Sequence, residues 1–139
     1  MTEAVNVKPE RPRYRNIGLG NVIFNYRLPA PGLVSILHRI SGVLLFVSLP
    51  FLLGLFGDSL ISEISFEKFR AVIGHPVGKL VLIVLSWAYL HHFCAGLRHV
   101  MMDMDIGLNN ATSKNSAMAV LVLSLTLAAL VAAKIMGAF

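Results

Sequence analysis

Two groups of polar and ionisable residues interrupt long apolar stretches of this sequence. The first group comprises Ser35, His38 and Arg39, and the second comprises His91, His92, Arg98 and His99. Ionisable side chains inside an apolar run of membrane-spanning length are costly in lipid and mark functional sites by default. Both groups are therefore candidates for ligand or cofactor binding.

The first group fits a site for a polar ligand on one face of a helix. Ser35 and Arg39 are four residues apart and share a helical face, and Gly42 follows two turns beyond Ser35 on the same side. A hydroxyl and a guanidinium on one face can bind the same polar ligand.

The second group contains two aligned histidines. His92 and His99 are two helical turns apart, and Gly96 between them removes a side chain where a flat group could approach the backbone. His91 points about 100° away from His92, so the two rings face different neighbours. Only His92 and His99 are expected to share a site.

A haem ligand is one interpretation of this spacing. His92 lies about ten residues before the end of its apolar run, which places it roughly 15 Å inside the membrane. Neutral imidazole binds haem iron, and Arg39, Arg98 and His99 could pair with the propionates. A second axial ligand would then come from another chain. The alternative is that the histidines hydrogen-bond between helices and the arginines reach the headgroups.

Three apolar runs must position these residues. They cover residues 33–56, 77–102 and 117–139, and each exceeds the ~20 residues that cross a bilayer. Of the 139 residues, 56% are hydrophobic and only 14% are charged, too few polar groups for a soluble globule of this size. The expected fold is an all-α membrane protein with three transmembrane helices, in a bundle completed by a second subunit.

The distribution of charge predicts the orientation. The net charge is +5, and five basic residues precede the first span: Lys8, Arg11, Arg13, Arg15 and Arg27. By the positive-inside rule, residues 1–32 form a basic cytoplasmic segment and residues 33–139 form the anchor domain. Loop 57–76 and the C-terminus are then periplasmic, and loop 103–116 is cytoplasmic. Both polar groups consequently lie in the cytoplasmic leaflet.

Several functions are disfavoured by the same sequence. The single cysteine, Cys94, excludes an internal disulfide and a cysteine-only metal site. Bases concentrated near the N-terminus make nucleic acid a poor partner, and neither a phosphate-binding glycine loop nor a nucleophile triad is found. Asp103 and Asp105, close in sequence to Arg98, are interpreted as a solvated ion-pair network.

The two polar groups together resemble a known family. The segment Ser35-Ile-Leu-His-Arg-Ile-Ser-Gly42 and the pattern His92-x3-Gly-x-Arg-His-x3-Asp103 match the cytochrome b556 subunits of succinate dehydrogenase. The resemblance covers nearly the whole chain, including Arg11-Pro12. Upstream it departs from the family, since residues 13–16 read Arg-Tyr-Arg-Asn where many members have Ser-Pro-His-Leu.

The resemblance implies roles for individual residues. His92 looks like the metal-binding residue, an axial ligand of haem b whose counterpart comes from a smaller anchor subunit. Ser35 and Arg39 look like residues of a ubiquinone pocket, and His38, Arg39 and His99 look like neighbours of the haem propionates. No residue of this chain would be catalytic for succinate oxidation.

The resemblance also implies a place in respiratory complex II, in the bacterial inner membrane. A flavoprotein oxidises succinate, and an iron–sulfur subunit passes the electrons on for ubiquinone reduction, linking electron transport to the tricarboxylic acid cycle. This chain would be a subunit of that enzyme. The alternatives are a fumarate reductase anchor, a haem-free structural anchor, or a small transporter or channel subunit. The transporter is disfavoured because broken helices and repeats are missing.

Overall fold

Four helices make up the part of the chain that the structure, a computed structural model, describes, namely Gly18 and residues 28–137. The helices are α1 (Ala30–Ser59), α2 (Glu63–Gly74), α3 (Pro76–Asp103) and α4 (Asn110–Met136). No strand occurs within these described residues. The basic residues predicted to set the orientation lie outside them.

Helices α1, α3 and α4 are long and apolar enough to cross a membrane. Their outer faces carry large exposed apolar side chains, such as Phe46 and Phe51, which are 79% and 74% exposed. In water such surfaces would aggregate, whereas lipid solvates them. The predicted all-α fold with three membrane-spanning helices is confirmed, and the chain is a multi-pass membrane protein.

The fourth helix begins seven residues before the predicted apolar run. Asn109 caps α4, because its side-chain Oδ1 accepts a hydrogen bond from the Thr112 backbone N–H at 2.7 Å. At the other end Gly137 adopts a left-handed φ of 80°, a conformation that favours glycine and ends helices. The polar residues of segment 109–116 therefore form the cap and first turns of α4.

Helix α2 is absent from the sequence-based expectation, which placed a loop over residues 57–76. Ser62 begins this helix with a capping box, in which the Ser62 and Ser65 side chains each accept from the other residue's backbone N–H. The helix has only 12 residues, too few to span a bilayer. His75 separates it from α3, whose first residue is Pro76, a favoured residue at that position.

Small residues build the core of the bundle. Val34, Ala95, Ala117 and Val120 form one buried cluster that joins α1, α3 and α4. Small side chains let helix backbones approach closely, which is how membrane helices gain packing energy without a hydrophobic driving force. This cluster also shows that the start of α1, the end of α3 and the start of α4 lie at the same end of the bundle.

Gly78 allows α2 and α3 to meet, and this contact predicts the effect of a substitution. A Cβ at Gly78 would overlap the carbonyl oxygen of Val72 and lie 3.2 Å from the Cα of Ile73. Because both neighbours are backbone, Gly78→Ala should destabilise the protein by about 1–3 kcal/mol. Thermal unfolding in detergent measures this effect.

The control for this prediction is Gly54→Ala in α1. Nothing lies within 4 Å of a Cβ built there. That variant should unfold at or above the wild-type temperature, since alanine is the better helix former by about 1 kcal/mol. Equal unfolding temperatures for the two variants would contradict the prediction.

Candidate functional site

Three histidines from α1 and α3 lie together where the start of α1 packs against α3. The rings of His38 and His92 stack with centroids 4.1 Å apart and an interplanar angle of 12°. His99 approaches His38 with a centroid distance of 5.0 Å and a tilt of 53°. The two polar groups, separated by more than 50 residues in sequence, thus meet in the fold.

His92 is held by the backbone of α1. Its Nδ1 lies 3.0 Å from the carbonyl oxygen of His38 and 3.3 Å from Ser41 Oγ. Because a carbonyl oxygen only accepts, the hydrogen bond to it requires the proton on Nδ1. In the neutral ring Nε2 then carries the lone pair, and this nitrogen has no hydrogen-bond partner among the described residues. An imidazole anchored in this way through one nitrogen is arranged to bind a metal through the other.

Gly96 accommodates a flat group, as its position predicts, but that group belongs to this chain. The His38 side chain lies there, with its Nε2 3.5 Å from the position of a Cβ on Gly96. The expectation that Gly96 leaves open space for a flat ligand is therefore corrected. The reason is that α1 crosses α3 closely enough for the histidine ring to fill the gap.

Ser35 and Arg39 are unengaged. Ser35 is half-buried and Arg39 is exposed. Within the described part of the chain, neither side chain takes part in a hydrogen bond or an ion pair. Their polar atoms are therefore available to a ligand or to another subunit.

His91 belongs to a different environment. It is fully buried, and its Nδ1 lies 3.2 Å from Ser124 Oγ of α4. Its ring stacks on that of Trp87, with the ring centroids 5.6 Å apart. Its Nε2 has no hydrogen-bond partner within the described residues. His91 thus links α3 to α4 and stays apart from the His38–His92 pair, as the angular offset predicts.

Arg98 also faces α4, which corrects the expected ion pairs with Asp103 and Asp105. The side chain is 5% exposed, and it donates from Nε to Ser116 Oγ at 3.0 Å and from Nη2 to Ser113 Oγ at 3.1 Å. Nη2 also approaches the Ser113 carbonyl oxygen at 3.3 Å. Arg98 therefore points away from the histidine cluster, and its expected ion pairs with Asp103 and Asp105 do not form.

Sequence reasoning missed the serines that hold Arg98. Ser113 and Ser116 are three residues apart and share one face of α4, and that spacing is the signal that could have identified them. Periodicity assigns residues to a face, but it does not say which helix covers that face. The serines replace water around a buried cation.

The described residues contain no group of three or more His, Cys, Asp or Glu that could hold a metal ion. The rings of His38 and His92 lie within 12° of parallel, so their nitrogens do not point at one position between them.

Comparison with known proteins identifies similar sequences. Residues 8–131 match the family model described as succinate dehydrogenase/fumarate reductase transmembrane subunit. A succinate dehydrogenase cytochrome b556 subunit of Coxiella burnetii is 32% identical over 100 residues, 71% of this chain and 80% of that protein. The subunit of the same name from Paracoccus denitrificans is 30% identical over 105 residues, which are 76% of this chain and 81% of that protein.

The contacts of Arg98 predict the cost of removing one acceptor. Ser116→Ala takes away the oxygen that accepts from Nε, and hydrogen bonds to charged groups contribute about 1.5–3 kcal/mol. We expect the free energy of unfolding in detergent to fall by that amount. Asn115→Ala, at an exposed neighbouring position, is the control and should change it little. Matching losses in both variants would refute a specific role for the Ser116 hydroxyl.

Proposed function

Because this chain belongs to the succinate dehydrogenase/fumarate reductase transmembrane subunit family, we propose that it carries electrons from succinate oxidation to quinone in the membrane, with haem b bound between it and a second anchor subunit. The observation that carries the proposal is the anchored ring of His92, whose Nδ1 faces a carbonyl oxygen while Nε2 stays free. The names of the Coxiella and Paracoccus relatives, cytochrome b556 subunits, support a haem of the b type.

His92 is the residue of this chain that would hold the haem iron. Haem b supplies a one-electron redox centre when bound. The chain's part is to present an unprotonated Nε2, and the carbonyl oxygen of His38 achieves this by holding the proton on Nδ1. The counterpart of His92 would come from the second anchor subunit, as the resemblance to the cytochrome b556 subunits implies.

His38, Arg39 and His99 are the proposed neighbours of the propionates. His38 touches the rings of both His92 and His99, so all three histidines lie within one small region. The exposed guanidinium of Arg39 follows His38 directly in α1. A cation and hydrogen-bonding imidazoles at this end of the bundle are suited to anionic carboxylates.

Ser35 and Arg39 are the proposed quinone-binding residues. The Ser35 hydroxyl can donate a hydrogen bond to a quinone carbonyl oxygen, and Arg39 can stabilise the negative charge that develops there on reduction. Both side chains are free of partners in the described chain, which supports a role toward a ligand. The protons that complete the reduction of the proposed substrate, ubiquinone, would enter from the cytoplasmic side.

The proposed orientation follows from the basic residues near the N-terminus. With that segment in the cytoplasm, the end of the bundle that carries the histidine cluster faces the same side of the inner membrane. The iron–sulfur subunit would dock there, with the flavoprotein beyond it, so this chain would never contact succinate. The direction of succinate oxidation is favoured over fumarate reduction by the names of the relatives.

Substitution of His92 tests the haem assignment. In the assembled complex, His92→Ala should abolish the reduced-minus-oxidised signal of a low-spin b-type haem, because the iron loses its ligand from this chain. His91→Asn is the matched control, since His91 faces Ser124 on α4, and it should retain the signal. Visible difference spectroscopy of purified membranes makes the measurement.

Two results would count against this assignment. An unchanged spectrum in His92→Ala would remove His92 as the ligand and favour a haem-free anchor or a ligand elsewhere. Equal loss in both variants would indicate general misfolding in place of a lost ligand.

The quinone assignment predicts a selective loss of activity. Ser35→Ala and Arg39→Leu should slow succinate-to-quinone electron transfer by about 100-fold, the lower end of the loss expected for one donor to a developing oxyanion. Succinate oxidation with a dye that accepts electrons from the soluble subunits should remain near the wild-type rate. The haem spectrum should survive in the serine variant.

Ser48→Ala is the control for the serine variant. Its hydroxyl is already bonded to the Leu44 carbonyl oxygen at 2.8 Å and lies in the same helix, so quinone reduction should be normal. Normal quinone turnover in both site variants would place the pocket elsewhere. A parallel fall in dye reduction would instead show that these residues hold the complex together.

A further inference from the structure

Ser41 is a fully buried polar residue to which none of the three proposed roles has been assigned. Its Oγ donates a hydrogen bond to the carbonyl oxygen of His38 at 2.9 Å and lies 3.3 Å from Nδ1 of His92. The same carbonyl oxygen lies 3.0 Å from that Nδ1. Ser41, the His38 carbonyl and the His92 ring therefore form a closed triangle of polar contacts between α1 and α3.

The direction of each hydrogen bond in this triangle follows from the chemistry of the groups. The Ser41 proton points at the carbonyl oxygen, so Oγ turns a lone pair toward Nδ1. Nδ1–H consequently lies between two acceptors, the carbonyl oxygen and the serine oxygen. Of the two neutral tautomers, only the one with a bare Nε2 satisfies both contacts.

Two glycines bring the helices close enough for these contacts. Each helix carries a histidine followed four residues later by glycine, His38 with Gly42 in α1 and His92 with Gly96 in α3. Each histidine lies against the glycine of the other helix. A Cβ on Gly42 would be 2.8 Å from His92 Cε1, whereas a Cβ on Gly96 would be 3.5 Å from His38 Nε2.

We propose that Ser41 and Gly42 are positioning residues for the haem ligand His92. Gly42 leaves the space in which the His92 ring lies, and Ser41 accepts from its Nδ1–H. Together they orient the ring so that the Nε2 lone pair points in one fixed direction. We call this arrangement of His38, Ser41, Gly42, His92 and Gly96 the α1–α3 clasp. The inference rests on the proposed function, in which His92 binds the iron.

The clasp has an electronic consequence as well as a geometric one. Acceptors on Nδ1–H make Nε2 a stronger donor, and hydrogen bonds of this kind tune a bound metal. A stronger donor favours the oxidised iron and lowers the reduction potential. Loss of the Ser41 oxygen removes one of the two acceptors, so the midpoint potential of the haem should become more positive.

Ser41→Ala and Ser41→Thr test the serine in the complete complex. Redox titration should show a more positive haem midpoint potential for Ser41→Ala, and electron paramagnetic resonance should show a shifted low-spin ferric signal. Ser41→Thr keeps the hydroxyl and should restore both values. A Ser41→Ala variant with wild-type potential and wild-type signal overturns the role of the serine, as does a threonine variant that behaves like the alanine variant.

Gly42→Ala tests the role of Gly42, and Gly96→Ala is its matched control. The 2.8 Å approach at Gly42 requires the His92 ring to move, and haem retention should fall by about 10-fold or more, the scale of lost second-sphere support. Gly96→Ala makes an ordinary contact and should retain haem. Equal retention in the two variants overturns the role of Gly42. Should Gly42→Ala fail to assemble, the serine and threonine variants decide the inference.

His92→Ala separates failure of this inference from failure of the proposed function. If that variant keeps its haem, the proposed function fails, and the clasp has no metal ligand to position. If it loses the haem while Ser41→Ala and Gly42→Ala match the wild type, His92 remains the ligand and only the positioning roles are overturned.

Discussion

The hydrogen bond between Nδ1 of His92 and the carbonyl oxygen of His38 is the interaction on which the site depends. It crosses from α3 to α1 at 3.0 Å, and it decides which nitrogen of the ring is left without a proton. Within lipid an imidazole needs a hydrogen-bond partner, and a backbone carbonyl of a neighbouring helix is one of the few polar groups there. The bond therefore stabilises the helix pair and leaves Nε2 without a partner in the described chain.

The same physical constraint explains the other buried polar residues. His91 contacts Ser124, and Arg98 donates to Ser113 and Ser116, so both of these buried side chains of α3 have hydroxyls of α4 opposite them. These contacts join helices whose packed surfaces are otherwise small apolar residues such as Ala95 and Ala117. In a bilayer, polar contacts between helices supply specificity that burial of apolar side chains does not.

Much of the fold could be predicted because its strongest signals are local. Three apolar runs required three spanning helices, and their antiparallel succession placed the polar groups of α1 and α3 at the same end of the bundle. Helix α2 was missed because 12 residues of mixed character resemble a loop when only apolar length is considered. The sequence did not predict that Arg98 faces α4 or that the His38 ring lies against Gly96. Helical periodicity assigns residues to a face of their helix, but it does not say which neighbouring helix packs on that face.

The two arginines at this end of the bundle show why the candidate site faces away from α4. Arg98 is buried, and its Nε and Nη2 donate to serines of its own chain. Arg39 is exposed and has no such partner in the described chain. A cation whose N–H groups already donate to its own protein gains little from an added anion. An unengaged cation gains a new charge-assisted hydrogen bond when an anion binds. The contrast leaves Arg39, on α1, as the arginine at this end of the bundle whose guanidinium is open to a contact from outside the described chain.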